Sequence, residues 1–314
     1  MPLAVTLTLG LVLLAGGGDV LVRGATQVAR RLGVSPLLIG LTLVGFGTST
    51  PELVTSIQAA LAGSPGIAIG NVVGSNVANV LLILGVAAVV APFAVSPQAF
   101  KRDGVAVVGA AVLLVAVCLY GTVTAWVGLA FLATLAAYLV LSVRQDRRAD
   151  AGTEAALGEG ERLPPVLLSL LLVAVGIGAT VLGARWLVQG AIVLARDLGV
   201  SETVIGLTIV AVGTSLPELV TSVVAAAKRQ SALAFGNVIG SNVFNVLFIL
   251  GATALVRPVE VPAEIVRVDV WVMLAATLAL AAAAVTGWRV TRGEGAVLLA
   301  GYVAYLAWLA LGAA

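Results

Sequence analysis

Apolar residues run through this chain in long continuous stretches, separated by short segments that collect most of the charged side chains. A helix that crosses a bilayer needs about 20 predominantly apolar residues. Ten stretches of roughly that length occur, so the pattern predicts an all-α integral membrane protein with ten transmembrane helices. The predicted spans are residues 3–22, 36–61, 67–91, 104–120, 124–142, 166–186, 203–227, 231–256, 268–286 and 295–312.

Composition agrees with this pattern and excludes several classes of function. Hydrophobic residues make up 61% of the 314 positions and charged residues only 10%, whereas a soluble domain is about a quarter charged. The chain has no His and one Cys, which excludes imidazole acid–base catalysis, His-ligated metal sites and internal disulfides. A net charge of +2 gives no basis for nucleic acid binding. Neither an enzyme nor a cofactor is expected.

The basic residues predict how the chain sits in the membrane. Counted across the ten spans, 13 of the 17 Lys and Arg residues fall in the connections on one side. The positive-inside rule places that side in the cytoplasm. Both termini are then extracellular, and the polar linker at 143–165 is cytoplasmic. The expected location is the plasma membrane of a prokaryote, which the chain would cross many times.

Two motifs occur twice, at the same displacement of 166 residues. GTSTPELVTSI at 47–57 returns as GTSLPELVTSV at 213–223, and GNVVGSNVANVLLILG at 70–85 returns as GNVIGSNVFNVLFILG at 236–251. Five spans separate the copies, and because five is odd the second copy enters the membrane from the opposite side. This is an inverted-topology repeat, as in many secondary transporters. The predicted units are 1–142 (motif region 36–91), the linker 143–165, and 166–314 (motif region 203–257).

Two carboxylates lie in the middle of predicted spans, Glu52 and Glu218, at equivalent positions of the two copies. A charged residue at the bilayer centre costs at least about 2.5–3.5 kcal/mol, so it faces a cavity or a partner. Neither span offers a nearby Lys or Arg, which makes a bound cation the natural counter-charge. Pro51 and Pro217 interrupt the helices just before the glutamates, and such breaks free backbone carbonyls.

The residues around the glutamates are rich in oxygen, the donor atom that hard cations prefer. With both glutamates ionised the site carries a formal charge of −2, which one Ca²⁺, two Na⁺ or two protons would balance. Some motif residues have a structural alternative. Gly70 and Gly74 are also suited to close helix packing, and Asn71 and Asn237 to hydrogen bonding between helices rather than to ligation.

At these paired motifs the sequence resembles the cation/Ca²⁺ antiporter superfamily, in particular compact prokaryotic sodium/calcium exchanger-like proteins. The resemblance implies that the motif regions meet at mid-membrane, with Glu52 and Glu218 as shared ligands. It also implies that the first and sixth spans slide across the rest without ATP. The further ligands that it implies are the carbonyls and hydroxyls of Thr48 and Thr214, the hydroxyls of Ser49, Ser75, Ser215 and Ser241, the side chains of Asn79 and Asn245, and the carbonyls of Gly45 and Ala211.

The resulting hypothesis is antiport of Ca²⁺ against Na⁺ at one site, with inorganic cations and the bilayer as partners and a monomer as the working unit. Ca²⁺/H⁺ antiport is the nearest alternative, because Asn79 and Asn245 are both amides where several family members carry one Asp. An intramembrane protease would also use two carboxylates that share a proton, but both acids here are Glu in TSxPE contexts and neither lies in a GxGD motif. A passive cation channel would dissipate a Ca²⁺ gradient without any counter-ion.

Overall fold

The structure, a computed structural model, describes residues 3–150, 164–197 and 211–312. Helices form nearly all of it, and four of them contain a π-helical turn, at Gly40–Val44, Asn79–Leu84, Asn245–Leu250 and Ile265–Asp269. In chain order the helices are α1 (Leu3–Leu32), α2 (Pro36–Thr48), α3 (Thr50–Leu61), α4 (Pro65–Val90), α5 (Pro97–Tyr120), α6 (Ala125–Asp150), α7 (Val166–Asp197), α8 (Ala211–Thr214), α9 (Leu216–Ala227), α10 (Ser231–Val256), α11 (Ile265–Val285) and α12 (Arg292–Gly312).

Eight of these helices are long and apolar enough to cross a membrane: α1, α4, α5, α6, α7, α10, α11 and α12. A ninth span results if α2 and α3, which meet at an angle of 44°, count as one. The seventh predicted span, 203–227, begins outside the described residues and continues as the short helices α8 and α9. The chain is therefore a multi-pass membrane protein within the described ranges, and the number ten stays a prediction.

Local sequence signals mark where several helices begin. Ser35 caps α2 by accepting a hydrogen bond from the Leu38 N–H at 3.1 Å, and Pro36 follows in the first turn. Proline is well tolerated there because the first helical N–H groups have no intrahelical partner. The Ser35 N–H and hydroxyl in turn donate to Asp146 at 2.8 and 2.6 Å. This contact ties the end of α6 to the start of α2.

Three helices extend well beyond their predicted ends. The first span was predicted at 3–22 but α1 runs to Leu32, and the fifth was predicted at 124–142 but α6 runs to Asp150, into the predicted linker. The sixth was predicted at 166–186 but α7 runs to Asp197. Hydropathy underestimates such helices because Arg and Lys can extend along a helix end toward the polar interface while the backbone remains helical.

Helices α1 and α7 pack side by side through small residues. A Cβ atom added at Gly17 would lie 2.7 Å from the Thr180 N atom, and one at Gly24 would lie 2.8 Å from the Val173 N atom. Both distances are too short for a real contact, so only glycine allows the two backbones this close. Small residues at helix interfaces are the usual means of packing within a membrane, where lipid removes the hydrophobic driving force.

Four two-residue strands, which the all-α prediction did not include, join connections that are distant in sequence. Strand β1 (Phe93–Ala94) pairs antiparallel with β4 (Arg289–Val290), and β2 (Thr122–Val123) pairs antiparallel with β3 (Val259–Glu260). They satisfy backbone groups at the ends of the helices, where the chain leaves regular structure. The helical prediction is correct apart from these short pairings.

The core centres on α4 and α10, the two helices that carry the GNxxGSNxxN motif. Every residue from Leu233 to Phe244 in α10 is buried. Gly236 and Gly240 face the carbonyl oxygens of Leu37 and Leu41 in α2 so closely that an added Cβ would collide with them. The packing role therefore applies to these two glycines, the copies of Gly70 and Gly74, and it brings α2 and α10 together beside the motif residues. It does not apply to Gly70 and Gly74 themselves, because an added Cβ would meet only Ile265 Cδ1 at 3.8 Å in the first case and nothing within 4 Å in the second.

Candidate ion-binding site

Each predicted glutamate stands in the first turn of a helix that follows a break in the chain. Glu52 lies in α3 and Glu218 in α9. Ser49 and Ser215, at the breaks, have φ/ψ angles of −82°/9° and −89°/8°, which lie outside the helical range. A proline in the first turn of each new helix fixes where it restarts. The breaks therefore follow directly from the TSxPE sequence.

The two carboxylates belong to one buried region. Glu52 and Glu218 are each only 2% exposed. The Ser49 hydroxyl donates to Glu218 Oε1 at 2.9 Å, and the Ser215 hydroxyl donates to Glu52 Oε1 at 3.2 Å. Each serine thus binds the glutamate of the other motif copy. This reciprocal pair brings four of the predicted ligand residues into direct contact.

Several oxygen atoms in this region have no hydrogen-bond partner among the described residues. They are the second carboxylate oxygen of each glutamate, Oε2, together with Asn79 Oδ1, Asn245 Oδ1 and Ser241 Oγ. A buried polar atom without a partner costs about 1–3 kcal/mol, and native proteins contain few of them. Carboxylate, amide and hydroxyl oxygens are the ligands that Ca²⁺ takes. Their accumulation in the paired motifs fits a cation site.

Asn79 and Asn245, the last asparagines of the two GSNxxN motifs, begin the π-helical turns of α4 and α10. α9, which carries Glu218, packs against the turn Asn79–Leu84, and α3, which carries Glu52, packs against the turn Asn245–Leu250. The Asn79 side-chain amide also donates to Asn242 Oδ1 at 3.0 Å, which joins the two copies a second time. Single π-helical turns inside α-helices are frequent at functional sites.

Asn71 and Asn237 have the structural role that the sequence left open. The Asn71 amide donates to the Glu52 carbonyl at 3.1 Å and to Ser56 Oγ at 2.9 Å. Asn237 makes the matching bonds, to the Glu218 carbonyl at 3.3 Å and to Ser222 Oγ at 2.9 Å. Each asparagine therefore holds the backbone of a glutamate in place from the neighbouring helix.

The backbone carbonyls that were predicted as ligands agree less well with a cation site. The Gly45 carbonyl accepts the Ser49 N–H at 3.1 Å and the Thr48 hydroxyl at 3.4 Å, so helix-internal bonds already engage it. The Thr48 hydroxyl also donates to the Val44 carbonyl at 3.1 Å. Ala211 is the first residue of α8, which packs against α4. The structure describes no ligand geometry for Ala211.

Sequence reasoning left Asn76 out of the ligand set. Its side chain is 3% exposed, and neither its Nδ2 nor its Oδ1 atom has a hydrogen-bond partner among the described residues. It stands directly after Ser75 in the GSNxxN motif. The repetition of that motif was the available signal, but spacing alone does not distinguish a ligand from a packing residue.

A cavity of about 330 Å³ adjoins the site. Thr214 and Ser75, two of the predicted ligand residues, lie in its wall together with Asn71. Asp269, Tyr302 and Tyr305 line it as well. Part of the predicted ligand set thus borders a partly polar space on the side of the molecule where α11 begins and α12 ends.

Comparison with known proteins decides the family. The sequence pattern of the family described as sodium/calcium exchanger protein matches residues 2–144 and 168–311, nearly the whole chain. The chain belongs to this family. Its members are transporters, which exchange Na⁺ and Ca²⁺ across a membrane, and the predicted resemblance is confirmed.

Individual relatives and solved structures agree. The sodium/calcium exchanger MaX1 of Methanosarcina acetivorans is 38% identical over 336 residues, covering 96% of each chain. The putative antiporter CaxA of Alkalimonas amylolytica is 37% identical over 309 residues, covering 94% of this chain and 95% of the relative. A structure of the sodium-calcium exchanger NCX_Mj, soaked without Na⁺ and Ca²⁺, superposes with a TM-score of 0.85 at 31% identity, covering 98% of both chains.

Proposed function

We propose that this chain is a secondary active antiporter that moves Ca²⁺ out of the cell in exchange for Na⁺, with both ions using the Glu52/Glu218 site in turn. The observation that carries the proposal is the reciprocal pair of hydrogen bonds from Ser49 to Glu218 and from Ser215 to Glu52. Because each carboxylate is held by the other motif copy, one cation can be bound by both. Family membership supports the identity of the ions.

Charge balance explains why the two ions would be exchanged rather than simply released. Two ionised glutamates in a buried site carry a charge of −2, and an unbalanced charge inside the membrane is costly. One Ca²⁺ or two Na⁺ restore neutrality with these two residues alone. The hydroxyls of Ser49, Ser75, Ser215 and Ser241 would contribute to flanking Na⁺ positions, and the hydroxyls of Thr48 and Thr214, with Asn79 and Asn245, to the centre.

The proposed architecture is two inverted five-helix repeats, residues 1–142 and 166–314, joined by the linker at 143–165. The repeated motifs and their odd number of intervening spans support it. The distribution of Lys and Arg supports extracellular termini and a cytoplasmic linker. Both copies of each motif lie in this one chain, which supports a monomer as the working unit.

Alternating access would come from movement of α1 and α7 against the other helices. The two helices pack on each other through glycines at Gly17 and Gly24, so they form a unit that can slide as one body. The ions would then reach the same glutamates first from one face of the membrane and then from the other. Differential stabilisation of the two states by bound ions is what drives such a cycle.

Ca²⁺/H⁺ antiport at the same site is the second candidate. Asn79 and Asn245 are neutral amides, which leaves Glu52 and Glu218 as the two ionisable side chains of the proposed ligand set. Two protons would neutralise them as completely as two Na⁺ ions. The proposed site and fold are unchanged in this alternative, and only the coupling ion differs.

The test is ⁴⁵Ca²⁺ uptake into proteoliposomes that contain the purified chain. One set is preloaded with Na⁺, and a second carries only a proton gradient at matched ionic strength. We expect uptake in the Na⁺-loaded vesicles, and we expect it to disappear in the Glu52→Gln variant. The exposed Glu260→Gln variant is the matched control and should transport like wild type.

The other outcomes are equally informative. Uptake driven only by protons would replace Na⁺ with H⁺ as the coupling ion. Uptake without any counter-ion would indicate a channel. Wild-type transport in a folded and inserted Glu52→Gln variant would reject the proposed site.

A further inference from the structure

Outside the site, a second pair of acidic residues follows the repeat. Asp103 in α5 and Asp269 in α11 are separated by the same 166 residues as the motif copies. Each accepts a hydrogen bond from a tyrosine on a neighbouring helix, Tyr138 at 2.9 Å for Asp103 and Tyr305 at 2.8 Å for Asp269. The two Asp–Tyr pairs therefore occupy equivalent positions toward opposite ends of the molecule.

The charge environment of the two aspartates differs. Arg102 neutralises Asp103 through two bonds, from Nε at 2.6 Å and from Nη2 at 2.9 Å, and Asp103 is 1% exposed. Val268 occupies the position equivalent to Arg102. Asp269 is only half-buried, and within the described ranges no Lys or Arg nitrogen lies within 4.0 Å of its carboxylate. One aspartate is locked in an ion pair and the other is not.

The two aspartates also differ in what they face. Asp269 and Tyr305 lie in the wall of the 330 Å³ cavity that Ser75 and Thr214 also line. Asp103 lies in a cavity of about 300 Å³ with Arg102 and Asp146, and the described residues lining that cavity include none of the predicted ion ligands. The carboxylate without a basic partner is thus the one whose cavity is lined by predicted ligand residues.

We propose that Asp269 attracts cations into this cavity and so raises the rate at which they reach the Glu52/Glu218 site from that membrane face. A carboxylate in a cleft with low-dielectric walls raises the local cation concentration and can accelerate association by about 10- to 1,000-fold. Under the proposed orientation this face is extracellular. The inference rests on the proposed function, because it assumes that cations travel to that site.

The test compares Ca²⁺ transport from the two faces, using right-side-out and inside-out membrane vesicles that contain the chain. At an ionic strength of about 0.02 M, we expect Asp269→Asn to raise the KM for Ca²⁺ on the cavity face about tenfold. The maximal rate and the KM on the opposite face should stay within about twofold. Asp269→Glu keeps the charge and should retain the low KM. Glu260→Gln, which removes an exposed charge near the same face, should have no effect.

Ionic strength gives an independent measurement on the wild-type chain. Salt screens charge over a Debye length of about 10 Å at 0.1 M. Raising the ionic strength to about 0.3 M with N-methylglucamine chloride should increase the cavity-face KM of wild type and leave Asp269→Asn nearly unchanged. If Asp269→Asn retains the wild-type KM and salt response, the proposal is wrong. Failure of the wild type to transport Ca²⁺ on either gradient would instead reject the proposed function.

Discussion

The two copies of the repeat make matching contacts at the centre of the molecule but different contacts at its two ends. At the centre, Ser49 and Ser215 make matching bonds to the glutamates, and Asn71 and Asn237 make matching bonds to the backbone. At the ends, Asp103 is paired with Arg102 on one side and corresponds to Asp269 on the other, which has no Lys or Arg partner among the described residues. The matching contacts at the centre agree with the proposed exchange, in which both ions would use it from both faces.

The ends face different solutions, so they need not remain alike. Contacts that match in both copies are therefore those that ion binding requires, and contacts that differ are those suited to one membrane face. Substitutions at the centre should have equal effects in both copies. Substitutions at the ends should have unequal effects.

Among substitutions that leave both glutamates in place, the largest effect tests the symmetry of the centre. Ser49→Ala and Ser215→Ala each remove one hydrogen bond to a glutamate, and a hydrogen bond to a charged group contributes about 1.5–3 kcal/mol. We expect each variant to weaken Ca²⁺ binding about 10- to 100-fold, by similar factors. Competition of Ca²⁺ against a fluorescent lanthanide would measure both. A large loss in one variant with none in the other would show that the copies are not equivalent.

A smaller effect tests the difference between the ends. Asp103→Asn leaves the Arg102 guanidinium, whose side chain is only 12% exposed, without its charge partner. Breaking a buried ion pair costs about 3–5 kcal/mol, and partial exposure should reduce this to about 2 kcal/mol. Asp269→Asn breaks no ion pair and should cost less than about 0.5 kcal/mol. Thermal unfolding in detergent should show a lowered Tm for Asp103→Asn and not for Asp269→Asn. Equal Tm values in the two variants would contradict the account.

The smallest effect concerns the contact between Asp146 and Ser35. Tyr138 and Tyr305 are 167 residues apart, and at the same displacement Asp146 corresponds in sequence to Ala313, so the second copy has no carboxylate at this position. Loss of a capping interaction costs about 0.5–2 kcal/mol. Asp146→Ala should therefore lower the Tm modestly, and Gln145→Ala at the adjacent position serves as its control. If both substitutions lower the Tm equally, the hydrogen bonds between Ser35 and Asp146 make no specific contribution to stability.

The position of the centre could be predicted because its motifs are repeated, whereas its role in ion binding stays a prediction. Two copies of the same motif, with a mid-span glutamate directly after a proline, were enough to predict that Glu52 and Glu218 lie near chain breaks. The reciprocal serine bonds support their predicted proximity. The Gly45 carbonyl fitted less well, because motif position does not reveal whether a carbonyl is already engaged in a helix.

The ends could not be predicted in the same way. The bonds from Tyr138 to Asp103 and from Ser35 to Asp146 join residues that are 35 and 111 positions apart. Hydropathy places such residues near helix ends but carries no information about which helices are neighbours. The charged extensions of α1 and α6 were missed for a related reason, since a hydropathy window ends a helix where charges begin.

The central claim is that Glu52 and Glu218 form one site rather than two. Equilibrium binding of ⁴⁵Ca²⁺ to the solubilised chain tests it most directly, in wild type and in the two single variants Glu52→Gln and Glu218→Gln. We predict about one Ca²⁺ per wild-type chain and an affinity lower by about 100-fold or more in either variant, because removing one of two buried charges costs about 3–5 kcal/mol. If either folded variant keeps the wild-type affinity at half the wild-type stoichiometry, the carboxylates bind independently and the account is contradicted.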